Sequence, residues 1–265
     1  MCNLEPAIQS ILERVRNNAD IPDITNENLT YSWKGQNEQQ AVAALNRFHT
    51  GFNNCIHYIN SPRGAGHNQE MANDKAQYLI IPIYHVLTWG LPHSGEQNRI
   101  NLSVKYSRIL LRIHAQRNDQ TDNIVDVVLN RITEDTPLPS WTKIVAAYDP
   151  THFWIYDTRV AIALRFLGYN WFIPNSTNNL TAIKNHLNDN NDSFLDEKNS
   201  YRRYLELLLQ QGQNGQFGTD AISTAGTFEK RLFMLGGAIR DRFRAGGQAT
   251  KNAIIALGHE LQNAH

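Results

Sequence analysis

The sequence predicts an all-α protein of about eleven helices, and three observations support this fold class. Apolar residues recur every three or four positions along most of the chain, which is the period of an amphipathic helix. No segment shows a convincing alternation of apolar and polar residues, the pattern of a half-buried strand. The 265 residues are 41% apolar and 19% charged, a composition typical of a folded chain with a sizeable core.

Five helices are predicted in the first half of the chain. Pro82 should kink or split the third of them, because proline has no backbone N–H to donate. Residues 78–87 are apolar enough for a strand, but their length and continuation favour a buried helix. Thr121 is a candidate N-cap for the fifth helix, which carries Ile124, Val127, Val128 and Ile132. The first four are predicted at 4–18, 37–59, 69–88 and 98–117.

Six helices are predicted in the second half of the chain. The first carries Lys143 and ends at the turn Asp149-Pro150, and the next opens on Asp157 and stops before Gly168. Capping residues, glycine pairs and apolar periodicity define the others. These are predicted at 178–188, 193–211, 224–245 and 248–262.

We expect residues 1–265 to form a single two-lobed unit, with approximate lobes at 20–136 and 137–265. The lobes would enclose a cleft, and the segment from Lys143 to Asp157 would lie at their junction. No internal repeat is present in the sequence.

Charge and cysteine content exclude several classes of protein. The net charge is zero, so any contact with nucleic acid must come from a local basic face. Two cysteines, Cys2 and Cys55, are too few for a disulfide framework, a four-cysteine zinc site or an iron–sulfur cluster. The histidines lack metal-binding spacing. We therefore expect no metal and no cofactor. Without a signal peptide or a run of about 20 apolar residues, a cytoplasmic monomer is expected, with no membrane association.

Lys143 is the first candidate catalytic residue. It lies among Trp141, Ile144 and Val145, beside the apolar face of its helix. Burial disfavours the charged form of an amine, and a neutral amine can attack a sugar carbon and form a Schiff base. The alternative is a solvated surface lysine, the usual state of this residue type.

Asp157, fourteen positions later, is the second candidate. It precedes an apolar helical stretch and occupies an N-cap position, where free backbone N–H groups favour an ionised carboxylate. Such a carboxylate in a cleft can stabilise an oxocarbenium ion or accept a proton. The alternative is a purely structural cap.

The segment from Trp141 to Val160 resembles the catalytic region of the helix-hairpin-helix DNA glycosylases, most closely the bacterial proteins similar to 8-oxoguanine DNA glycosylase. In that superfamily a helix with a catalytic lysine leads to a Val/Ile-x-Asp-x-x-Val sequence whose aspartate is essential. Thr142-Lys143 resembles the lysine position, and Ile155-Tyr-Asp-Thr-Arg-Val160 resembles the aspartate position. The resemblance covers about twenty residues and implies a two-lobed helix-hairpin-helix fold.

The chain departs from the family pattern at the hairpin. The family usually has a Gly-x-Gly turn there, whose backbone N–H groups hold a DNA phosphate. The corresponding residues are Leu138-Pro139-Ser140, without glycine and with one donor missing. Ser140 is the DNA contact expected at this turn.

The resemblance implies a DNA glycosylase that acts on double-stranded DNA with a damaged or modified base. The nucleotide would be flipped out of the duplex, Lys143 would attack C1′ of the sugar, and Asp157 would stabilise positive charge. The resulting imine would permit β-elimination, the activity of an abasic-site (AP) lyase. Alternatively, Asp157 could activate water and leave an abasic site. Repair of oxidised guanine and removal of modified bases from phage DNA as antiviral defence are both open.

Further residues are candidates for contacts with DNA, each with a structural alternative. Trp141 and Trp154 could stack on a flipped base or pack in the core. Arg159 could bind a phosphate or form an internal ion pair. Cations near the end of the 224–245 helix could bind phosphates or complement the helix dipole. In addition to Arg159, the residues predicted to bind phosphates are Arg63 in a surface loop, Arg240, Arg244 and Lys251.

Two other functions remain open from the sequence. A catalytically inactive helical module could have kept the fold and bind DNA without reaction, and the missing hairpin glycines favour this alternative. A helical scaffold unrelated to DNA would lack a basic face around the cleft.

Overall fold

The computed structural model describes residues 36–61, 72–119, 123–131, 137–166, 198–213 and 221–263. Within these ranges the chain forms nine helices and no strand, which confirms the all-α class. None of the helices in this part of the chain combines the length and apolar character needed to cross a lipid bilayer. The helices are α1 Glu38–Asn60, α2 Ala72–Gly90, α3 Glu96–Asp119, α4 Ile124–Leu129, α5 Leu138–Tyr148, α6 Thr158–Phe166, α7 Lys198–Gln213, α8 Ala221–Ala245 and α9 Gln248–Asn263.

Most predicted helices in the described ranges recur within a few residues of their expected bounds. Pro82 lies inside α2, so the expected split of this helix does not occur, and residues 78–87 are helical. The cap of α4 is Asn123, whose side-chain oxygen accepts a hydrogen bond from the backbone N–H of Val125 at 3.0 Å. The predicted cap Thr121 and the predicted helices at 4–18 and 178–188 lie outside the described residues.

The described chain divides into two compact units, each with its own core. The N-terminal unit runs from Gln39 to Ile155, and the C-terminal unit continues from Tyr156. From the sequence, the lobe boundary was expected at residues 136 and 137. Helix α5 packs against α2 and therefore belongs to the N-terminal unit.

The N-terminal unit is built around α5. Every residue of α5 except Pro139 is buried. A helix with apolar residues on all sides has to be enclosed, because no face of it favours contact with water. Helices α2 and α3 pack closely, and Tyr106 of α3 contacts the ring of Trp141 at a centroid distance of 5.2 Å. The other large buried side chains here include Phe52, Leu79, Ile83, Leu87, Leu110 and Ile113.

The C-terminal unit is organised by the packing of α8 against α6 and α7. Val160 to Leu164 of α6 are buried on every side, so this short helix lies in the centre of the unit. Gly236 of α8 permits the close approach, because a Cβ atom at this position would lie 1.7 Å from the backbone oxygen of Arg159. A larger residue would displace the first turn of α6, the turn that Asp157 caps.

Replacement of Gly236 by alanine is expected to destabilise the protein by about 1–3 kcal/mol, the usual effect of overpacking a core. The new methyl group meets backbone atoms of Arg159, which cannot rotate away. At Gly237 a Cβ would approach the Arg159 side chain at 3.3 Å, so Gly237→Ala should have a smaller effect. Urea denaturation of the variants measures these changes.

Gly95→Ala is the matched control, because no atom lies within 4 Å of a Cβ built there. Gly95 is the N-cap residue of α3, since its carbonyl accepts the N–H of Arg99 at 3.1 Å, and alanine caps a helix less well than glycine. The free energy of unfolding of Gly95→Ala should therefore fall by no more than about 1 kcal/mol. Equal effects of the Gly236 and Gly95 substitutions would contradict the close packing of α6 and α8.

Candidate active site

Lys143 is a buried residue of α5, with 4% of its surface exposed. The alternative of a solvated surface lysine is therefore wrong. Its Nζ donates a hydrogen bond of 2.9 Å to the backbone oxygen of Pro139, one turn earlier in the same helix. Burial is the environment in which lysines act as nucleophiles or form Schiff bases. The amine must leave the Pro139 carbonyl before it can attack an external atom.

The path of the Lys143 side chain is set by Gly90, the last residue of α2. A Cβ atom at residue 90 would lie 2.5 Å from Cδ of Lys143 and 3.3 Å from Cε. The absence of a side chain at Gly90 thus leaves room for the aliphatic part of the lysine. The sequence offered no sign of this contact, since Gly90 reads as an ordinary helix-ending residue.

Asp157 caps α6 in the C-terminal unit and is 8% exposed. Its Oδ1 accepts hydrogen bonds from the backbone N–H groups of Arg159 at 3.0 Å and Val160 at 3.3 Å. The predicted N-cap geometry is therefore present. These bonds satisfy two of the unpaired backbone donors in the first turn of the helix. An ionised, nearly buried carboxylate can stabilise a cation on a bound sugar.

Three tyrosines cluster beside Asp157 in the C-terminal unit. The Tyr156 ring lies 5.2 Å from that of Tyr204 and 6.0 Å from that of Tyr201. Burial raises the pKa of Tyr204, and the negative charges of Glu229 and Asp157 raise it further. Burial likewise raises the pKa of Tyr201. Both α7 tyrosines consequently stay neutral hydroxyls at physiological pH.

By its sequence, the run Tyr201-Arg-Arg-Tyr204 is a further, weaker candidate for a phosphate contact. The two tyrosines are instead buried, three positions apart on one face of α7, with exposed fractions of 0%. The spacing of three was a usable signal, because residues three apart share a helix face. The sequence could not show that this face of α7 contacts Tyr156, the residue before Asp157.

A second polar cluster surrounds Asp149, the C-cap residue of α5. Its carboxylate accepts a hydrogen bond from Nη1 of Arg117 at 3.0 Å and from Nδ1 of His152 at 3.0 Å. The hydroxyl and backbone N–H of Thr151 donate to Oδ1 at 2.6 and 3.2 Å. We call these four residues the Asp149 cluster. The carboxylate is buried, whereas Arg117 and His152 are both partly exposed.

Hydrogen bonds decide the ionisation of Asp149. Burial by itself would raise the pKa of this carboxyl group, but the hydrogen bonds from Thr151 and His152, with the charges of His152 and Arg117, lower the pKa below its ordinary value. The group is therefore ionised at neutral pH. The Asp149-Pro150 turn was predicted from the sequence, but the ion pair with Arg117, from a distant helix, was not.

Tyr148 links the end of α5 to two other helices. His49 of α1 donates from Nδ1 to the backbone oxygen of Tyr148 at 3.0 Å, and Nδ1 of His114 lies 2.8 Å from its hydroxyl. Burial lowers the pKa of His114, and the nearby charge of Arg117 lowers it further. His114 is thus neutral near pH 7 and fits a structural role.

The remaining motif residues of α5 and the following turn are internal. Ser140 is 2% exposed, and its hydroxyl lies 2.6 Å from the Tyr106 hydroxyl and donates to the Pro137 carbonyl at 2.8 Å. This position does not offer Ser140 to a DNA phosphate. Trp141 and Trp154 are 0% and 4% exposed, so neither ring presents a free face for stacking on a base. Both fit the core-packing alternative.

The cationic candidates of the C-terminal unit are held by local contacts. The guanidinium of Arg159 lies 4.6 Å from the centroid of the Phe233 ring. Arg240 donates from Nε to Asp241 at 3.3 Å, and Nζ of Lys251 lies 5.5 Å from the Phe243 ring. Arg244 is exposed near the end of α8, as both sequence-based alternatives require. Arg63 lies outside the described residues.

Two other features bear on where the protein could bind a ligand or a metal ion. A groove of about 930 Å³ lies between α1 and α2, and its walls include Arg47, Phe48, Tyr78, Ile81, Pro82 and His85. None of the catalytic or DNA-binding residues predicted from the sequence lines this groove. In the described part of the chain, no three histidine, cysteine or acidic side chains are grouped to hold a metal ion.

Comparisons of the chain with protein-family models, curated proteins and solved structures find no match.

The Asp149 cluster predicts a pH-dependent contribution to stability. Asp149→Asn keeps the size of the side chain but removes its charge, so the variant should lose about 1.5–3 kcal/mol at pH 7, the range for hydrogen bonds to a charged group. The carboxyl pKa is lower in the folded protein than in the unfolded chain, so the contribution is present above about pH 4. It disappears as the pH falls through the folded-state pKa. Urea denaturation of both proteins across this range measures the difference.

Asp241→Asn provides the control, because its carboxylate is 65% exposed and pairs with Arg240 at 3.3 Å. Exposed pairs contribute about 0–1 kcal/mol, so this variant should differ little from wild type at any pH. A stability difference for Asp149→Asn that stays constant down to about pH 3, below the ordinary carboxyl range, would contradict the ionised cluster.

Proposed function

We propose that this protein is a DNA glycosylase that excises a damaged or modified base from double-stranded DNA. The observation that carries the proposal is the burial of both motif residues, with Lys143 4% and Asp157 8% exposed. Removing a charged group from water costs free energy, so a buried lysine and a buried aspartate are uncommon and are candidates for a functional role. A lysine followed fourteen positions later by a capping aspartate also forms the glycosylase-like motif.

Lys143 supplies the nucleophile in the proposed reaction. The target nucleotide rotates out of the duplex, because C1′ is inaccessible inside the base stack. Nζ leaves its hydrogen bond with Pro139 and loses a proton, and its lone pair attacks C1′. The bond between C1′ and the base nitrogen breaks, its electron pair passes to the base, and the base takes up a proton. The amine now attached to C1′ loses a proton, its lone pair forms the C=N bond as the C1′–O4′ bond breaks, and O4′ takes up a proton. The products are a free base and an imine between Lys143 and the ring-opened sugar.

Asp157 supplies the negative charge that this reaction needs. As the C1′–N bond lengthens, positive charge develops on the sugar, and an ionised carboxylate stabilises that charge. The proton that Lys143 releases balances the proton that the departing base takes up. In the bifunctional route, loss of a C2′ proton from the imine then expels the 3′ phosphate by β-elimination. In the monofunctional route, Asp157 activates water and leaves an abasic site.

The proposed setting is a monomeric cytoplasmic enzyme that needs neither a metal nor another cofactor. Its substrate is either an oxidised guanine, as in repair, or a modified base of invading phage DNA. The mechanism above is the same for both, since it acts on the sugar and not on the base.

A catalytically inactive DNA-binding module is the second candidate, and one observation favours it. Both motif residues already have structural contacts, Lys143 with the Pro139 carbonyl and Asp157 with the first turn of α6. Such contacts are compatible with residues that only stabilise the fold. The two candidates differ in what substitution of these residues changes.

Base excision distinguishes the candidates. The substrates are duplexes with 8-oxoguanine, uracil, alkylated bases or modified cytosines, together with phage genomic DNA. We expect wild type to release one class of base and Asp157→Asn to be slower by about 10²–10⁴-fold, the range for loss of a catalytic acid–base or electrostatic group. Asparagine also caps helices, so the variant should remain folded.

Asp241→Asn is the control for the loss of one carboxylate and should excise at the wild-type rate. Retained duplex binding without release of any base would reject the enzyme and favour the binding module. Equal excision by wild type and Asp157→Asn would remove Asp157 from the mechanism.

Trapping with borohydride tests the role of Lys143. Borohydride reduces an imine to a stable amine, so wild type incubated with an abasic-site duplex should give a covalent protein–DNA adduct. Lys143→Gln should give none, whereas Lys251→Gln, which removes an amine from α9, should give the wild-type amount. An active wild-type enzyme that forms no adduct would establish the monofunctional route instead.

A further inference from the structure

The partly exposed cations of the Asp149 cluster have no role in the chemistry above. The Asp149 carboxylate is 4% exposed, whereas the side chains of Arg117 and His152 are 43% and 42% exposed. The anion is thus inside the protein and both basic groups are near the surface. A buried carboxylate that holds two basic side chains fixes their positions and reduces the conformational entropy that a ligand must remove.

Each basic group keeps hydrogen-bonding capacity after its contact with Asp149. Arg117 uses Nη1 for the carboxylate, and a guanidinium has five N–H donors on three nitrogens. His152 uses Nδ1 for Asp149 and Thr151, so the other ring nitrogen, Nε2, is not engaged by these two residues. When the imidazole is protonated, Nε2 is a donor.

The turn expected to hold a DNA phosphate is not built for that purpose. Pro139 has no N–H, and the Ser140 hydroxyl is buried with Tyr106 and the Pro137 carbonyl as partners. A glycosylase still needs backbone contacts, because these fix the position of the duplex. Arg117 and His152 lie in the same unit as this turn.

We propose that Arg117 and His152, held by the buried Asp149, bind a backbone phosphodiester of the DNA. The proposal rests on the proposed function for the identity of the ligand. Arginine suits this role because its planar guanidinium offers parallel donors to two phosphate oxygens. Protonated His152 adds a third donor and a second positive charge.

The test is fluorescence anisotropy with a labelled duplex at several salt concentrations, for wild type, Arg117→Gln and His152→Asn. The asparagine side chain keeps a donor for Asp149 but has no charge. We expect each variant to bind about three- to tenfold more weakly, and the slope of log affinity against log salt to fall by about one per lost phosphate contact.

Arg108→Gln is the matched control. Arg108 is an exposed arginine of the same helix, nine positions before Arg117, which places it on the opposite side of α3. Its loss should leave affinity and salt slope unchanged. Arg117→Lys keeps the charge beside Asp149 and should recover part of the affinity, which separates phosphate binding from a general loss of folding.

Several results would overturn the proposal. Wild-type affinity in both Arg117→Gln and His152→Asn would do so, as would equal losses in Arg108→Gln or no duplex binding by wild type. Calorimetric titration with inorganic phosphate covers the other source of the ligand, and tight binding there with no variant effect on the duplex would assign the site to a free anion. Excision measured on the same variants separates the two proposals. Excision by wild type, with duplex affinity unchanged in both variants, would support the glycosylase and reject the phosphate site. Weaker duplex binding by the variants, without excision by wild type, would support the phosphate site and reject the glycosylase.

Discussion

The complete burial of α5 is the constraint on which the rest of the N-terminal unit depends. Its apolar residues leave no face for water, so the helix is enclosed along its whole length. The polar groups that it carries then need partners inside the protein, and the Nε1 atom of Trp141 is an exception because it has no hydrogen-bond partner among the described residues. Ser140 uses Tyr106 and the Pro137 carbonyl, and Lys143 uses the Pro139 carbonyl. At the end of α5, Asp149 uses Arg117, Thr151 and His152.

The polar groups of α5 differ in how well their structural roles explain them. Ser140 and Asp149 satisfy several partners and close the two ends of the helix. Lys143 donates to the Pro139 carbonyl, and an apolar residue of similar size would avoid the burial of an amine. The proposed catalytic role would explain why an amine is buried at this position. Gly90, which makes room for its side chain, belongs to the same argument.

For Asp157, in contrast to Lys143, a structural role is enough to explain the residue. Its cap of α6 is a sufficient structural explanation, and aspartate is a preferred residue for that purpose. Its surroundings carry the additional information. Gly236 brings α8 against the carbonyl of Arg159, and Tyr156, Tyr201 and Tyr204 pack together as buried, neutral rings. The carboxylate is thus fixed in direction by its helix and lies beside this tyrosine cluster.

The sequence by itself determined the helical class, most helix positions in the described ranges and the cap at Asp157. These features depend on neighbours within about four residues, which a pattern in the chain can show. The sequence also made Lys143 a candidate catalytic residue, although it did not decide whether this side chain is buried or exposed. The lobe boundary near 136 was placed by loop composition, whereas α5 is grouped with α2 by packing between distant segments.

Only the tertiary structure decided which polar side chains are internal and which remain available. Ser140, Trp141 and Trp154 looked suited to DNA because of their position in the motif, but the enclosure of α5 and the turn after it buries all three. Arg117 carried no sequence signal, because its partner Asp149 comes from another helix and no local rule links them. Burial and long-range pairing depend on how helices pack against each other, and a local sequence pattern does not encode that packing.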